Sequence, residues 1–162
     1  SKVFSEGEQK VLAIADFLAE ARLAGIAAPV IFDDPVSSLD YRRINEVADE
    51  LEANGINLIG INSNATESLD WVTSHAKEVG YQFPVLIDKG NVLADKLGAS
   101  VTPEFFYLDK ENVLLYHGAL DNDRSGKNVT INYLRDASEA ALIKEPIKTA
   151  KTNAFGCSIK RA

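Results

Sequence analysis

The strongest constraint on the fold is a pair of short apolar segments joined through one amphipathic helix. The first segment covers residues 30–32 and ends in a run of polar residues, and the second covers residues 56–61. Between them, residues 39–53 carry apolar side chains at three- and four-residue steps, which predicts a helix that packs on a sheet. This order with short connections forms a right-handed, parallel βαβ unit. The sequence therefore predicts an α/β domain.

The rest of the chain extends this alternation and then changes it. Two segments, residues 105–108 and 113–117, are predicted strands separated by only four residues, and so short a connection indicates an antiparallel hairpin. We therefore predict one three-layer α/β/α sandwich around a mixed sheet, with a C-terminal β-hairpin and a closing helix. Helical patterns lie at residues 5–23, 66–79, 92–97 and 129–143, another strand at residues 83–87, and a polar tail at residues 149–162.

Charge and cysteine content exclude several functional classes. The 162 residues include 17 Lys and Arg against 24 Asp and Glu, a net charge of −7, which is not the footprint of a nucleic-acid-binding protein. A single cysteine excludes an internal disulfide, a CxxC pair and a cysteine-rich zinc site. No apolar run reaches the roughly 20 residues that span a bilayer. We expect a cytoplasmic monomer that needs no partner and no cofactor and binds neither nucleic acid nor membrane.

Three motifs in residues 1–45 resemble parts of ABC-type ATPases. They are Phe4-Ser5-Glu6-Gly7-Glu8-Gln9-Lys10, similar to the signature motif; Pro29-Val30-Ile31-Phe32-Asp33-Asp34-Pro35, similar to a Walker B strand; and Ser37-Ser38-Leu39-Asp40, similar to a D-loop. No phosphate-binding G-x-x-x-x-G-K-[ST] loop occurs in the chain.

The resemblance to ATPases implies a nucleotide site at the positions of those motifs. Asp33 would be the acid on the Mg²⁺ side, and Asp34 would occupy the place of the catalytic carboxylate. Ser5 and Gly7 would contact phosphate at a helix N-terminus. We interpret all four as vestigial, because the chain lacks the phosphate loop.

From about Arg43 onward the chain resembles thioredoxin-like proteins of the redoxin and peroxiredoxin branch. The matching segments are residues 55–64, residues 83–86, residues 101–109 and the terminal Gly156-Cys157-Ser158-Ile159-Lys160. The resemblance implies that Thr102-Pro103 is the cis-proline that faces the redox site in this fold. It also implies that the family's catalytic cysteine belongs directly after the strand at residues 30–32, where this chain has aspartates.

The only thiol of the chain belongs to Cys157, in the predicted polar tail. Lys160 and Arg161 follow it closely, and their positive charge would stabilise a thiolate. His75 and His117 have no neighbour at metal-ligand spacing, and we interpret them as packing or surface residues.

We first interpret the chain as a fold hybrid, engineered or recombined, with its junction inside the helix near residues 42–47. It would comprise an ATPase-derived segment (1–45), a thioredoxin-like body (46–148) and the polar tail (149–162). In that hypothesis it has no evolved catalytic activity, and the missing CxxC pair, peroxidatic cysteine and Walker A loop argue against an enzyme without excluding one. Two alternatives remain open: a thiol oxidoreductase or antioxidant protein that acts through Cys157, and weak Mg-nucleotide binding by the ATPase-like segment.

Overall fold

A computed structural model describes residues 29–33, as a backbone strand, and residues 41–162. The helix predicted over residues 5–23 lies outside this part of the chain. The described strands are β1 (Pro29–Asp33), β2 (Asn57–Asn62), β3 (Val85–Ile87), β4 (Val101–Thr102), β5 (Glu104–Leu108), β6 (Leu114–Gly118) and β7 (Cys157–Ser158). The described helices are α1 (Tyr41–Ala53), α2 (Leu69–Glu78), α3 (Val92–Leu97) and α4 (Tyr133–Leu142), and a 3₁₀ turn covers Lys89–Asn91.

The described strands form one five-stranded mixed sheet in the order β3-β2-β1-β5-β6, and β4 pairs separately with β7. Strand β1 lies at the centre, parallel to β2 and antiparallel to β5. The hairpin of β5 and β6 completes one side and the parallel pair of β2 and β3 the other. The β1–α1–β2 order is the βαβ unit that the sequence predicts, and the mixed sheet confirms the predicted fold class.

Strand β5 separates two apolar layers, because its side chains alternate between the faces of the sheet. Phe105 and Tyr107 face the layer under α1 and α4, which includes Ile44 and Leu134. Phe106 and Leu108 face the other layer, with Ile59, Ile61, Leu93, Ala94, Ala99 and Ile159. Burial of each large apolar side chain contributes about 1.5–3 kcal/mol. Helices on both faces of the sheet give the predicted sandwich.

Two helices begin later than their apolar patterns predict, because polar side chains terminate the loops before them. Helix α2 begins at Leu69, after Ser68, whose hydroxyl accepts the amide of Trp71 at 3.2 Å. Helix α4 begins at Tyr133, after a loop in which the Asp123 carboxylate accepts the amide of Asn128 at 2.7 Å. Hydrogen bonds from this amide and from Ser125 lower the pKa of Asp123.

Tyr116 joins the hairpin to the segment that follows α4. The side chain is fully buried, and its hydroxyl donates to the carbonyl oxygen of Ala119 at 2.6 Å. The same hydroxyl lies 2.7 Å from Oγ1 of Thr152. Burial raises the pKa of Tyr116 to about 12. The folded protein therefore keeps this phenol neutral at a pH where an unfolded chain ionises it.

We expect the stability of the protein to fall between pH 10 and pH 12 through Tyr116. Below pH 10 the phenol is neutral in both states, so its contribution is complete. Above pH 10 only the unfolded chain loses the proton, and the free energy of unfolding falls by up to about 1.4 kcal/mol per pH unit. Urea unfolding from pH 8 to 11.5 should show a shallower fall for Tyr116→Phe. The exposed Tyr41→Phe is the control, and equal slopes for Tyr116→Phe and the parent protein would contradict this account.

Candidate functional site

The turn between β4 and β5 lies beside the carboxyl end of β1. The peptide bond between Thr102 and Pro103 is cis, the conformation that the thioredoxin-like resemblance implies for this position. Both residues are buried. In the next position Glu104 pairs in register with Asp33, the last residue of β1. The turn therefore occupies the edge of the sheet at which the resemblance places the redox site.

Cys157 lies directly beside this turn. Strand β7 pairs antiparallel with β4, so that Cys157 is opposite Thr102 and Ser158 is opposite Val101. Residues opposite each other in such a pair have Cα atoms about 4.5–5.5 Å apart. Cys157 is exposed to solvent and forms no disulfide. The structure thus brings the single thiol of the chain to the turn that contains Pro103.

The predicted polar tail, residues 149–162, packs against the domain in this arrangement. Ile159 is only 7% exposed and belongs to the apolar layer on the α3 face of the sheet. Its amide donates to the carbonyl oxygen of Ser100 at 3.2 Å. Hydrogen bonds also hold the last three residues. The amide of Lys160 donates to Oδ1 of Asn64, and its carbonyl oxygen accepts the amide of Ala65. The Arg161 guanidinium donates to Asp95 and to the carbonyl oxygen of Ala99, and the amide of Ala162 donates to Oδ1 of Asn91.

Buried polar side chains after β2 and β3 hold the loops that receive this segment. Asn62 and Asn64 both donate to the carboxylate of Glu67, at 2.6 and 3.1 Å. Asp88 accepts hydrogen bonds from the hydroxyl of Ser63 and from the amides of Leu93 and Ala94 in the first turn of α3. Asn91, which is 3% exposed, donates to the carbonyl oxygen of Ser63. Buried polar groups are generally hydrogen-bonded, and here their bonds fix the positions of the loops.

Gly156 allows the chain to pass against the turn. A Cβ atom at this position would overlap the carbonyl oxygen of Thr102 and lie 3.1 Å from the nitrogen of Pro103. Only a residue without a side chain permits so close an approach of two backbones. Gly156 therefore determines how near Cys157 comes to Pro103.

Glu104 and His117 form a hydrogen-bonded pair next to the same turn. The two atoms Oε1 of Glu104 and Nε2 of His117 are 2.5 Å apart, and Oε2 of Glu104 accepts the amide of Ser100 at 3.0 Å. The His117 ring stacks on Phe106 with 4.4 Å between centroids. His117 is thus a packing residue, one of the two roles that the sequence analysis gives it, and it is also hydrogen-bonded to Glu104. The hairpin register, which places Phe106 opposite His117, was the available signal.

The four residues assigned to a nucleotide site are not tested by this structure. Ser5, Gly7 and Asp34 lie outside the described residues, and Asp33 is described only as the backbone end of β1. Within the described part of the chain, no three His, Cys, Asp or Glu side chains are grouped so as to hold a metal ion. His75 stacks on Trp71 with 5.2 Å between ring centroids.

Residues 32–117 match the AhpC/TSA family, which is more than half of the chain. The chain belongs to the AhpC/TSA family. Two solved structures resemble it over most of their length, each with a TM-score of 0.73. A hypothetical protein from Sinorhizobium meliloti is 29% identical and covers 88% of this chain and 84% of its own. An uncharacterised conserved protein from Geobacillus kaustophilus is 27% identical and covers 84% of this chain and 78% of its own.

A more distant structure establishes the fold alone. Peroxidoxin BcpB from Mycobacterium tuberculosis has a TM-score of 0.53 at 16% identity, and the match covers 74% of this chain and 80% of that one. The fold of this AhpC/TSA protein is thus thioredoxin-like, as the sequence predicts. A comparison with functionally curated proteins yields no significant match.

The hypothesis of an engineered or recombined hybrid without evolved activity is wrong. The AhpC/TSA match begins at Phe32, inside the strand that was likened to Walker B, and it continues through the D-loop-like residues. In the structure this strand is the central strand of the sheet, parallel to β2 and antiparallel to β5. No comparison supports an ATPase fragment. A strand that ends in aspartates resembles a Walker B motif because each consists of an apolar strand followed by acidic residues.

The described residues contain no helix with the length and apolarity that crossing a bilayer requires. The monomeric state, the lack of a required partner, the lack of nucleic-acid binding and the extent of one domain over residues 1–162 stay predictions.

We expect Gly156→Ala to displace β7 from the turn. The added methyl group overlaps the Thr102 carbonyl, and overpacking of this kind costs about 1–3 kcal/mol. Urea unfolding would measure that loss, and alkylation of the folded protein would show a changed rate at Cys157. Ser158→Ala, an exposed change in the same strand, serves as the control. Parent-like stability and alkylation in Gly156→Ala would contradict the close approach.

Proposed function

We propose that this AhpC/TSA protein is a thiol-dependent antioxidant protein that reduces hydroperoxides through Cys157. The observation that carries the proposal is the pairing of Cys157 with Thr102, which puts the exposed thiol beside Pro103. In the thioredoxin-like fold that the chain resembles, this turn faces the redox site. The proposed nucleophile thus reaches that site from the C-terminal segment and not from the end of β1.

Family membership favours redox chemistry over the other functions considered. The match runs from the last two residues of β1 into β6, over residues 32–117. The name of the distant structural neighbour, a peroxidoxin, agrees with a peroxide substrate. Strand β1 ends in Asp33 and is followed by Asp34 in the sequence, and carboxylates cannot form a disulfide or a sulfenic acid. The chemistry therefore requires the one thiol that the chain has.

The reaction we propose has two stages. In the first, the Cys157 thiolate attacks one oxygen of the hydroperoxide and the O–O bond breaks. Cysteine is oxidised to sulfenic acid, and the departing alkoxide takes a proton and leaves as the alcohol. In the second, an external thiol condenses with the sulfenic acid, releasing water and forming a mixed disulfide. A second external thiol then releases Cys157 as a thiol and leaves as the external disulfide.

The external thiol follows from the composition of the chain. With one cysteine, the sulfenic acid has no second thiol of this chain to condense with. Exposure of Cys157 leaves the oxidised sulfur accessible to a small thiol from solution. We therefore propose a single-cysteine cycle in which each hydroperoxide consumes two equivalents of external thiol.

We expect the protein to consume hydrogen peroxide in the presence of dithiothreitol, and Cys157→Ser to consume none above the buffer rate. Dimedone, which traps sulfenic acids, should label Cys157 in the parent protein after one equivalent of peroxide. The matched control is Cys157→Ser/Ser158→Cys, which keeps one thiol and moves it to the opposite face of β7. We expect this variant to react with peroxide at the rate of free cysteine.

Equal rates for the parent protein, the moved thiol and free cysteine would contradict the proposed function. Such a result would mean that the position beside Pro103 confers no reactivity on the thiol.

A further inference from the structure

Glu104 is a buried carboxylate that the proposed reaction of Cys157 does not use. It is 5% exposed and directly follows Pro103. A carboxylate in such a place is costly unless its oxygens are bonded. Both oxygens are used: one meets His117 and the other accepts the amide of Ser100 across the turn. The side chain therefore connects the first residue of β5 to Ser100, the residue before β4.

Ser100 connects Glu104 to the C-terminal segment that carries the thiol. Its amide is bonded to Glu104, and its carbonyl oxygen accepts the amide of Ile159 at 3.2 Å. Ile159 lies two residues beyond Cys157. The backbone on the C-terminal side of Cys157 is thus connected to Glu104 through one residue, Ser100.

His117 makes the matching connection on the other side of Cys157. Its amide donates to the carbonyl oxygen of Ala150, and its carbonyl oxygen accepts the amide of Thr152, each at 3.0 Å. The His117 ring is oriented by its stacking on Phe106. The Glu104–His117 pair is therefore bound to the C-terminal segment both before and after Cys157.

We propose that Glu104, oriented by His117, is a positioning residue that sets the place of the Cys157 thiol beside Pro103. The effect of Glu104 on catalysis rests on the proposed function, whereas its effect on the position of the thiol can be measured without turnover. Glu104 touches neither thiol nor substrate in this account. It acts through Ser100 and through the turn.

The test compares Glu104→Gln with Glu104→Ala. The glutamine oxygen can still accept the Ser100 amide and its NH₂ group can donate to a neutral His117 ring, whereas alanine removes both bonds. We expect the rate constant of Cys157 with peroxide to fall at least about tenfold in Glu104→Ala, since a misplacement of about 1 Å in a reacting group can cost about a hundredfold. Glu104→Gln should recover the rate to within about threefold. The apparent KM for dithiothreitol should change much less than the rate constant for peroxide.

Ser138→Ala is the matched control for a merely structural effect. Ser138 is also 5% exposed and its hydroxyl donates to the carbonyl oxygen of Arg135, but it lies on α4, away from the turn. We expect this variant to lose stability and keep the parent rate constant. A folded Glu104→Ala with the parent rate, or a Glu104→Gln as slow as Glu104→Ala, would overturn the proposal.

His117→Phe decides the matter if Glu104→Ala does not fold. Phenylalanine can keep the stacking on Phe106 and removes only the bond to Glu104. A fall of about tenfold in the peroxide rate constant supports the positioning role, and an unchanged rate constant overturns it.

Failure of the proposed function would be visible separately, as a parent protein that does not react with peroxide. The alkylation rate of Cys157 by iodoacetamide then tests the inference. We expect the rate in Glu104→Ala to match that of the urea-unfolded chain, and the parent and Glu104→Gln to differ from it together. Identical alkylation rates in all three folded proteins would overturn the inference.

Discussion

The pairing of β7 with β4 is the interaction on which the rest of the site depends. Two residues of backbone pairing would be weak alone, since ordering each residue costs about 1–2 kcal/mol. The burial of Ile159 in the α3 layer and the bonds from the last residues to Asn64 and Asn91 add to the pairing. Because Gly156 lets the backbones approach, the paired strands place Cys157 at the turn. Without this docking, the thiol would lie in a polar tail with no defined neighbour.

Much of the fold could be predicted, because its signals are local. Residues 30–32 and 56–61 are rich in apolar and β-branched side chains and are separated by one helix, a connection that favours parallel strands. The hairpin at residues 105–117 is predictable for the same reason, and its register could also have shown that His117 lies on the face of Phe106. Helix starts were less accurate, since the apolar pattern of α4 continues into a loop held by Asn122 and Asp123.

The site could be predicted only in part, because its members are distant in sequence. Thr102 and Pro103 were recognisable from a resemblance, and Cys157 was a candidate as the only thiol. Nothing local indicates that Cys157 pairs with Thr102, because β4 and β7 are two residues each and too short for a strand pattern. Glu104 was overlooked because its two partners, Ser100 and His117, meet it only in the folded chain. The aspartates at the end of β1 misled for the opposite reason, since they form a short local motif that resembles one of another family.

The central claim is that the C-terminal segment is docked and brings Cys157 to the turn at Pro103. Nuclear Overhauser effects between backbone protons test it most directly. The account predicts cross-strand effects between Cys157 and Thr102 and between Ser158 and Val101, together with slowed exchange of the Ile159 amide, which is bonded to Ser100. Random-coil shifts for residues 155–162, with no cross-strand effects to β4, would contradict the account.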